Sequence, residues 1–197
     1  MSTTFDHAAI RFLSEKENFK FALDVASHID AVKKYLIISL WDKLYEKISK
    51  ELREDIGNVK DWNLKQDNNM DGPFPGITLA PNSITNPVYT YRIEKECNIY
   101  HGIVATKEDG LSDHLLPLPE FSCLLDNLKQ MQFKRNDIHW LGWRYSDCEY
   151  SDRDALLTEI AENSDNLSDR IAFAFVDDFH KLKALILNLN RSLPPEG

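Results

Sequence analysis

Residues Val88–Thr106, VYTYRIEKECNIYHGIVAT, decide how this chain is read. Their alternation predicts two strands, Tyr89–Lys95 and Asn98–Ala105, joined by a short turn near Glu96–Asn98. Side chains alternate across a strand, so Tyr89, Tyr91 and Ile93 face one way and Thr90, Arg92 and Glu94 the other. In the second strand Ile99, His101, Ile103 and Ala105 share a side, opposite Tyr100, Gly102 and Val104. Glycine weakens a strand interior, so Gly102 marks a bulge or a close neighbour.

Further strands flank this hairpin. Asp61–Gln66 reads as a first strand with Trp62 and Leu64 facing one way, and Ile77–Ala80 as a second, closed by Pro81. Between them NNMDGPFPG (68–76) is a loop, because glycine and proline break helices and ladders alike. Asn82–Pro87 is a turn before the hairpin. Asp137–Ser146, DIHWLGWRYS, reads as the last long strand, in which Ile138, Trp140 and Arg144 alternate with His139, Leu141, Trp143 and Tyr145. Neither set is polar, which fits a strand covered on both sides, or one with a covered face and an adhesive face.

Helices account for most of the rest. Phe5–Ala26 predicts one or two short helices, and Ile29–Glu54 a long one starting at Asp30. Its apolar residues Ile29, Val32, Leu36, Leu40, Leu44 and Ile48 recur every three or four positions and form one stripe. Gly57 ends this region. Glu120–Gln130 is helical by the same test. Ser151 caps a helix over Ala155–Ala161 with Asp154 at its third position, Asn163–Ser168 is a polar break, and Asp169–Arg191 is the final helix. The fold class is therefore α+β: a mostly antiparallel sheet of about four or five strands packed by N- and C-terminal helices. One domain spans 1–193, with a helical layer at 1–56, the sheet at 61–147, helices at 151–193 and a tail at 194–197.

The 197 residues are 43% hydrophobic and 28% charged, enough for one sizeable core. No apolar run reaches the length of a membrane span, and the first residues lack the basic-then-apolar order of a secretory signal. Cys97, Cys123 and Cys148 are few and scattered, which suggests reduced thiols in a cytoplasmic protein. The net charge of −9 is unevenly placed. Residues 1–60 hold ten acidic and ten basic side chains, whereas 147–178 hold ten acidic and two basic. Such a segment repels phosphate and attracts basic surfaces, although a pair of solvated helix faces is the plainer reading.

No pattern in the chain calls for a metal or a cofactor. None of the six histidines is spaced as a ligand pair on one helix turn, and no nucleophile motif or phosphate loop occurs. The acids Asp147, Glu149, Asp152 and Asp154 lack the glycine and terminal glutamate of a calcium loop. His101 and His139 lie on predicted strands that adjacency would bring together, as a structural pair or as a proton-transfer site. The aromatic set is more suggestive. Trp62, Tyr91, Tyr100, Trp140, Trp143 and Tyr145 fall on strands, and tryptophan and tyrosine tolerate half-burial and dominate binding hot spots. Candidate binding residues are Trp140, Trp143, Arg144 and Tyr145, with Tyr91, Arg92 and His101 on neighbouring strands.

A long amphipathic helix, a tryptophan strand, YRIEKECNIYHGI as paired strands, then HWLGWRY and terminal helices, resembles the region that follows the nuclease core in some uncharacterised bacterial PD-(D/E)XK-like proteins. The nuclease pattern itself is absent. Ile93–Glu94–Lys95–Glu96 contains no glutamate followed two residues later by lysine, so no catalytic residue carries over. The resemblance implies a non-enzymatic recognition or accessory module of a cytoplasmic bacterial protein, linked to a nuclease-type defence system. Its partner would be a protein, basic if the acidic segment takes part, and less readily a nucleic acid. A second reading is an immunity or inhibitor protein whose acids Asp147, Glu149, Asp152 and Asp154 cover a basic toxin or a nucleic-acid-binding protein. A third is an enzyme using His101 and His139. The apolar helices also suit a homodimer.

Overall fold

The central hairpin forms as its alternation dictates. β3 (Tyr89–Lys95) pairs antiparallel with β4 (Ile99–Ala105), Tyr91 opposite Ile103 and Ile93 opposite His101. β1 (Trp62–Gln66), β2 (Gly76–Pro81) and β5 (Trp140–Tyr145) extend it into one five-stranded antiparallel sheet in the order β1-β2-β3-β4-β5. A computed structural model of the chain describes residues 4–54, 61–70, 72, 74–106, 117–135 and 139–193. The expected helix stop at Gly57, the Asp137–Ile138 start of the last strand and the 194–197 tail lie outside these residues.

Among the described residues four helices complete the α+β fold: α1 (Thr4–Ser14), α2 (Lys16–Glu54), α3 (Pro119–Gln130) and α4 (Arg153–Ser192). One expectation is corrected here and another narrowed. No break precedes Asp30, because Ser27 and His28 both turn back onto the Asp24 carbonyl and leave the helix intact, so α2 runs for 39 residues. The break expected over Asn163–Ser168 is met at its first residue: Asn163 leaves helical geometry and joins two helical stretches of α4 across a kink, while the rest of the run is helical. The cap is Asp152, which accepts from the Ala155 N–H at 2.8 Å, while Ser151 donates to Asp152.

α4 lies across one face of the sheet. Its stripe Ile171, Phe175, Phe179, Leu182, Ile186 and Leu189 is fully buried, with Phe175 and Phe179 against Tyr91 and Phe179 edge-on to Trp62. Near its end, Asn190 both accepts from the Tyr89 N–H and donates to the Tyr89 carbonyl, which fixes the helix to β3. α2 packs beside α4, burying Leu40, Leu44 and Ile48. Lys33, Lys43 and Lys47 reach Asp154, Asp165 and Asp169 in turn, so the two helices run parallel. α3 closes the same face over β5, where Leu128 fills the space that a side chain at Gly142 would need. On the sequence pattern the row Ile29–Ile48 and the last helix suited a dimer seam; here the row's second half, Leu40 to Ile48, and the stripe of the last helix are spent inside the chain, while Ile29 and Val32 are exposed.

The bulge anticipated at Gly102 lies one step on. Ile103 pairs with Gly142 but Val104 pairs with Trp140, so Leu141 is an extra residue and turns into the core. A Cβ at Gly102 would collide with the Gly142 carbonyl, the close neighbour its position implied. The bulge corrects the expected alternation of β5. Trp140 lies on the face of Trp143 and Tyr145, and Arg144 lies on the other.

Candidate functional site

The face of the sheet away from α4 carries Tyr100, Trp140, Trp143 and Tyr145, brought into one row by the pairing of β4 with β5 and by the bulge. Tyr100 meets Trp140 edge-on at 5.2 Å between centroids and Trp143 at 5.7 Å, and Trp143 meets Tyr145 at 5.4 Å. Trp140 is only 6% exposed and forms the floor, while the other three are half-buried. With the turn Glu96–Asn98 these rings line a cleft of about 270 Å³.

A cation already lies on this row. Lys134 pairs its backbone with Trp143 as a short bridge, and its ammonium sits 5.0 Å from the Trp143 ring centre and 4.8 Å from that of Tyr145. The rings' negative faces attract it. Carboxylates surround the row: Glu94 accepts from the Tyr100 hydroxyl at 2.8 Å, Glu149 accepts from Tyr145 at 3.1 Å, and Glu96 lines the cleft. Burial first, then Glu94, push the Tyr100 phenol well above its ordinary range. The arrangement can hold a positive group between aromatic faces and acids.

The other predicted site residues are dispersed. Arg92 is on the open face but is committed to Asp67 at 2.6 Å, Glu94 at 2.7 Å and Thr78 at 2.9 Å. Burial works against its charge, and the two carboxylates more than restore it. Tyr91, His101 and Arg144 belong to the covered face. His101 is fully buried, Nδ1 against Ser146 Oγ at 2.8 Å and Nε2 against Asp178 Oδ2 at 2.8 Å. Arg144 Nη2 reaches the same Asp178 oxygen at 2.5 Å, and its guanidinium stacks on Phe133. With Asp178 charged and paired to Arg144, a neutral His101 donates from Nε2 and accepts from Ser146. Burial pulls the imidazole below its usual pKa, against the opposing pull of Asp178.

Serine, histidine and aspartate in line have the composition of a hydrolase relay, but Ser146 is 3% exposed, and a nucleophile must reach a substrate carbonyl. The expected His101–His139 site is not formed. Both His101 nitrogens are engaged, His139 is exposed, and its carbonyl accepts from Ala105, four residues along β4 from His101.

The acids of 147–178 are largely answered from within. Arg170 grips Asp147 through two nitrogens, which lowers that carboxyl's pKa, and also reaches Glu159. Asp152 caps α4, Glu149 holds Tyr145, and the lysines of α2 meet Asp154, Asp165 and Asp169. Tyr100 belongs to the aromatic set read from the sequence but not to its candidate binding residues, and the sequence pattern missed Lys134, which carries no signal of its own. It also passed over Asp178, although an acid between Phe175 and Phe179 on an apolar stripe is a visible sign of a buried partner.

The chain thus belongs to the broad class of α+β proteins in which an antiparallel meander is backed by helices on one face and presents aromatic side chains on the other. No protein-family model, curated protein or solved structure matches it. Among the described residues, no helix is long and apolar enough to cross a membrane.

Proposed function

We propose that this chain is a non-enzymatic recognition module that takes a basic segment of a protein partner on the aromatic row of β4 and β5. The observation that carries the reading is Lys134 lying over Trp143 and Tyr145 beside Glu94, Glu96 and Glu149: the row already favours a cation in this chain's own lysine. A partner's lysine or arginine meets the same rings and acids in the adjoining cleft. On this reading the chain is an accessory module of a nuclease-type defence system, the placement its resemblance implies. Three exposed thiols with no disulfide among them support a cytoplasmic setting. The immunity-protein reading ranks second, because most acids it would offer to a toxin are engaged by lysines, arginines or backbone of the same chain.

The test is a titration with lysine- and arginine-rich peptides, read by tryptophan fluorescence. Trp140 and Trp143 line the cleft and Trp41 and Trp62 do not, so the response reports the first two. Binding should weaken as salt rises and fall at least tenfold in Trp143→Ala and Glu96→Gln. An acidic peptide of equal length that binds as well, or unchanged affinity in Trp143→Ala, overturns the reading.

A further inference from the structure

The first half of α2, with α1 bent from its end at Glu15, extends past the helix that covers the second half. The Lys33–Asp154 pair marks where α4 starts alongside, and residues 16–32 lie beyond it. Between Ile10 and Tyr35 ten large apolar side chains are 41–70% exposed. Elsewhere among the described residues only Phe74 and Phe173 expose a large apolar group comparably. Single exposed hydrophobics are ordinary, but ten on one arm are not. Val25, Ile29, Val32 and Leu36 recur every three or four positions, and the same row continues as Leu40, Leu44 and Ile48, which are buried where α4 packs. The arm therefore carries a helix-packing seam past the end of its partner helix.

Charge narrows what can cover it. Residues 4–35 hold five acidic and five basic side chains, interspersed, in a chain of net charge −9. A helix that lies on a membrane surface, or an arm that binds nucleic acid, carries an excess of lysine and arginine. A neutral arm of alternating sign meets its own copy without repulsion. Area points the same way. At ~200 Å² for a large side chain, these exposures leave on the order of 1,000 Å² of apolar surface on the arm. Even the half that one neighbouring helix covers, counted on both copies, reaches the ~1,000 Å² that a specific interface needs.

We propose that the arm Thr4–Tyr35 is a homodimer interface, in which two copies of this chain pack arm against arm through Phe21, Val25, Ile29 and Val32. The proposal is independent of the aromatic row. Sedimentation velocity of the full chain, from low to high micromolar concentration, should give twice the chain mass, and high salt should leave it so. The double variant Val25→Glu/Ile29→Glu should sediment as a monomer and melt cooperatively at the midpoint the wild-type chain shows when diluted to a monomer, since both side chains are exposed in the monomer. Phe173→Glu, exposed outside the arm, should remain a dimer. Hydrogen exchange of the wild-type chain gives a check that needs no variant: amides of 16–32 should gain protection as concentration rises. A monomeric wild-type chain, a dimer that survives the double variant, exchange in the arm that ignores concentration, or a monomer that binds anionic vesicles through the arm would each overturn it.

Discussion

On one side of β3 and β4, Tyr91 and His101 are sealed beneath α4; on the other, Tyr100 and Trp143 are half-open with a lysine laid over the ring of Trp143. Both faces are rich in aromatic residues and both hold carboxylates. What separates them is access to water. Beneath α4 the buried groups His101, Ser146 and Asp178 satisfy one another through single hydrogen bonds, and Arg144, about a third exposed, ties Asp178 to the edge of the network. On the open face Glu94, Glu96 and Glu149 lie where solvent or a partner can also reach the rings. Residues of like chemistry are thus structural on one face and available for contact on the other.

The largest effect should come from the covered face. Asp178→Ala leaves the buried His101 without its acceptor and Arg144 without its carboxylate, and because solvent reaches Arg144 the loss should be about 2 kcal/mol, less than the ~3–5 kcal/mol of a fully buried pair. Urea denaturation checks this. A change below ~1 kcal/mol would mean that water enters the network and that the two faces differ less than their burial indicates.

The next effect is on pH dependence. His101 titrates near ~6.5 in the unfolded chain, while burial holds its pKa lower in the fold, with Asp178 opposing and Arg144 assisting. Below ~6.5 the unfolded state therefore binds a proton that the folded state refuses, so stability falls on acidification, by up to ~1.4 kcal/mol per pH unit until the folded pKa is reached. His101→Gln should be less stable at neutral pH and should flatten this slope. Asp147 acts lower on the scale. Arg170 depresses its pKa, so its contribution is present above the ordinary carboxyl range and is lost as pH falls through the folded value. Denaturation curves at successive pH values separate the two. An unchanged slope in His101→Gln would assign the acid sensitivity to other groups.

Much of the fold was legible in the chain because its strands alternate cleanly. Tyr89, Tyr91 and Ile93 on one side of β3 gave the covered face, and Gly102 gave the crowded crossing with Gly142. What could not be read came from contacts distant in sequence. The bulge at Leu141 depends on how β5 meets β4, and it moved Trp140 onto the face of Trp143. Ser27 and His28 look like helix breakers when read locally, but both bond back to the Asp24 carbonyl within the helix, and the 163–168 run breaks α4 only at Asn163 because the buried stripe that follows holds the helix in place. The candidate site was half legible: Trp143 and Tyr145 follow from the pattern, whereas Lys134 reaches the row through a single bridge outside any strand. His101 looked like half of a histidine pair because its true partner, Asp178, comes from a helix 77 residues later.

The smallest effects come from one substitution made on both faces, and they sharpen the comparison most. The Tyr91 hydroxyl is fully buried without a hydrogen-bond partner among the described residues, whereas the half-buried Tyr100 hydroxyl donates to Glu94. A buried hydroxyl that gives up water and receives nothing is a cost to the fold, so Tyr91→Phe should be neutral or stabilising by up to ~1 kcal/mol. Tyr100→Phe removes a bond to a charged acceptor and should destabilise by ~1 kcal/mol, below the ~1.5–3 kcal/mol of such bonds when buried because solvent reaches the site. Depth and importance then run in opposite directions: the hydroxyl beneath α4 is dispensable and the one at the cleft is not. Thermal melts of the two variants decide it. If Tyr91→Phe proves the more damaging, its hydroxyl has a bonded partner in solution, and the network beneath α4 extends through Tyr91 toward Asp178.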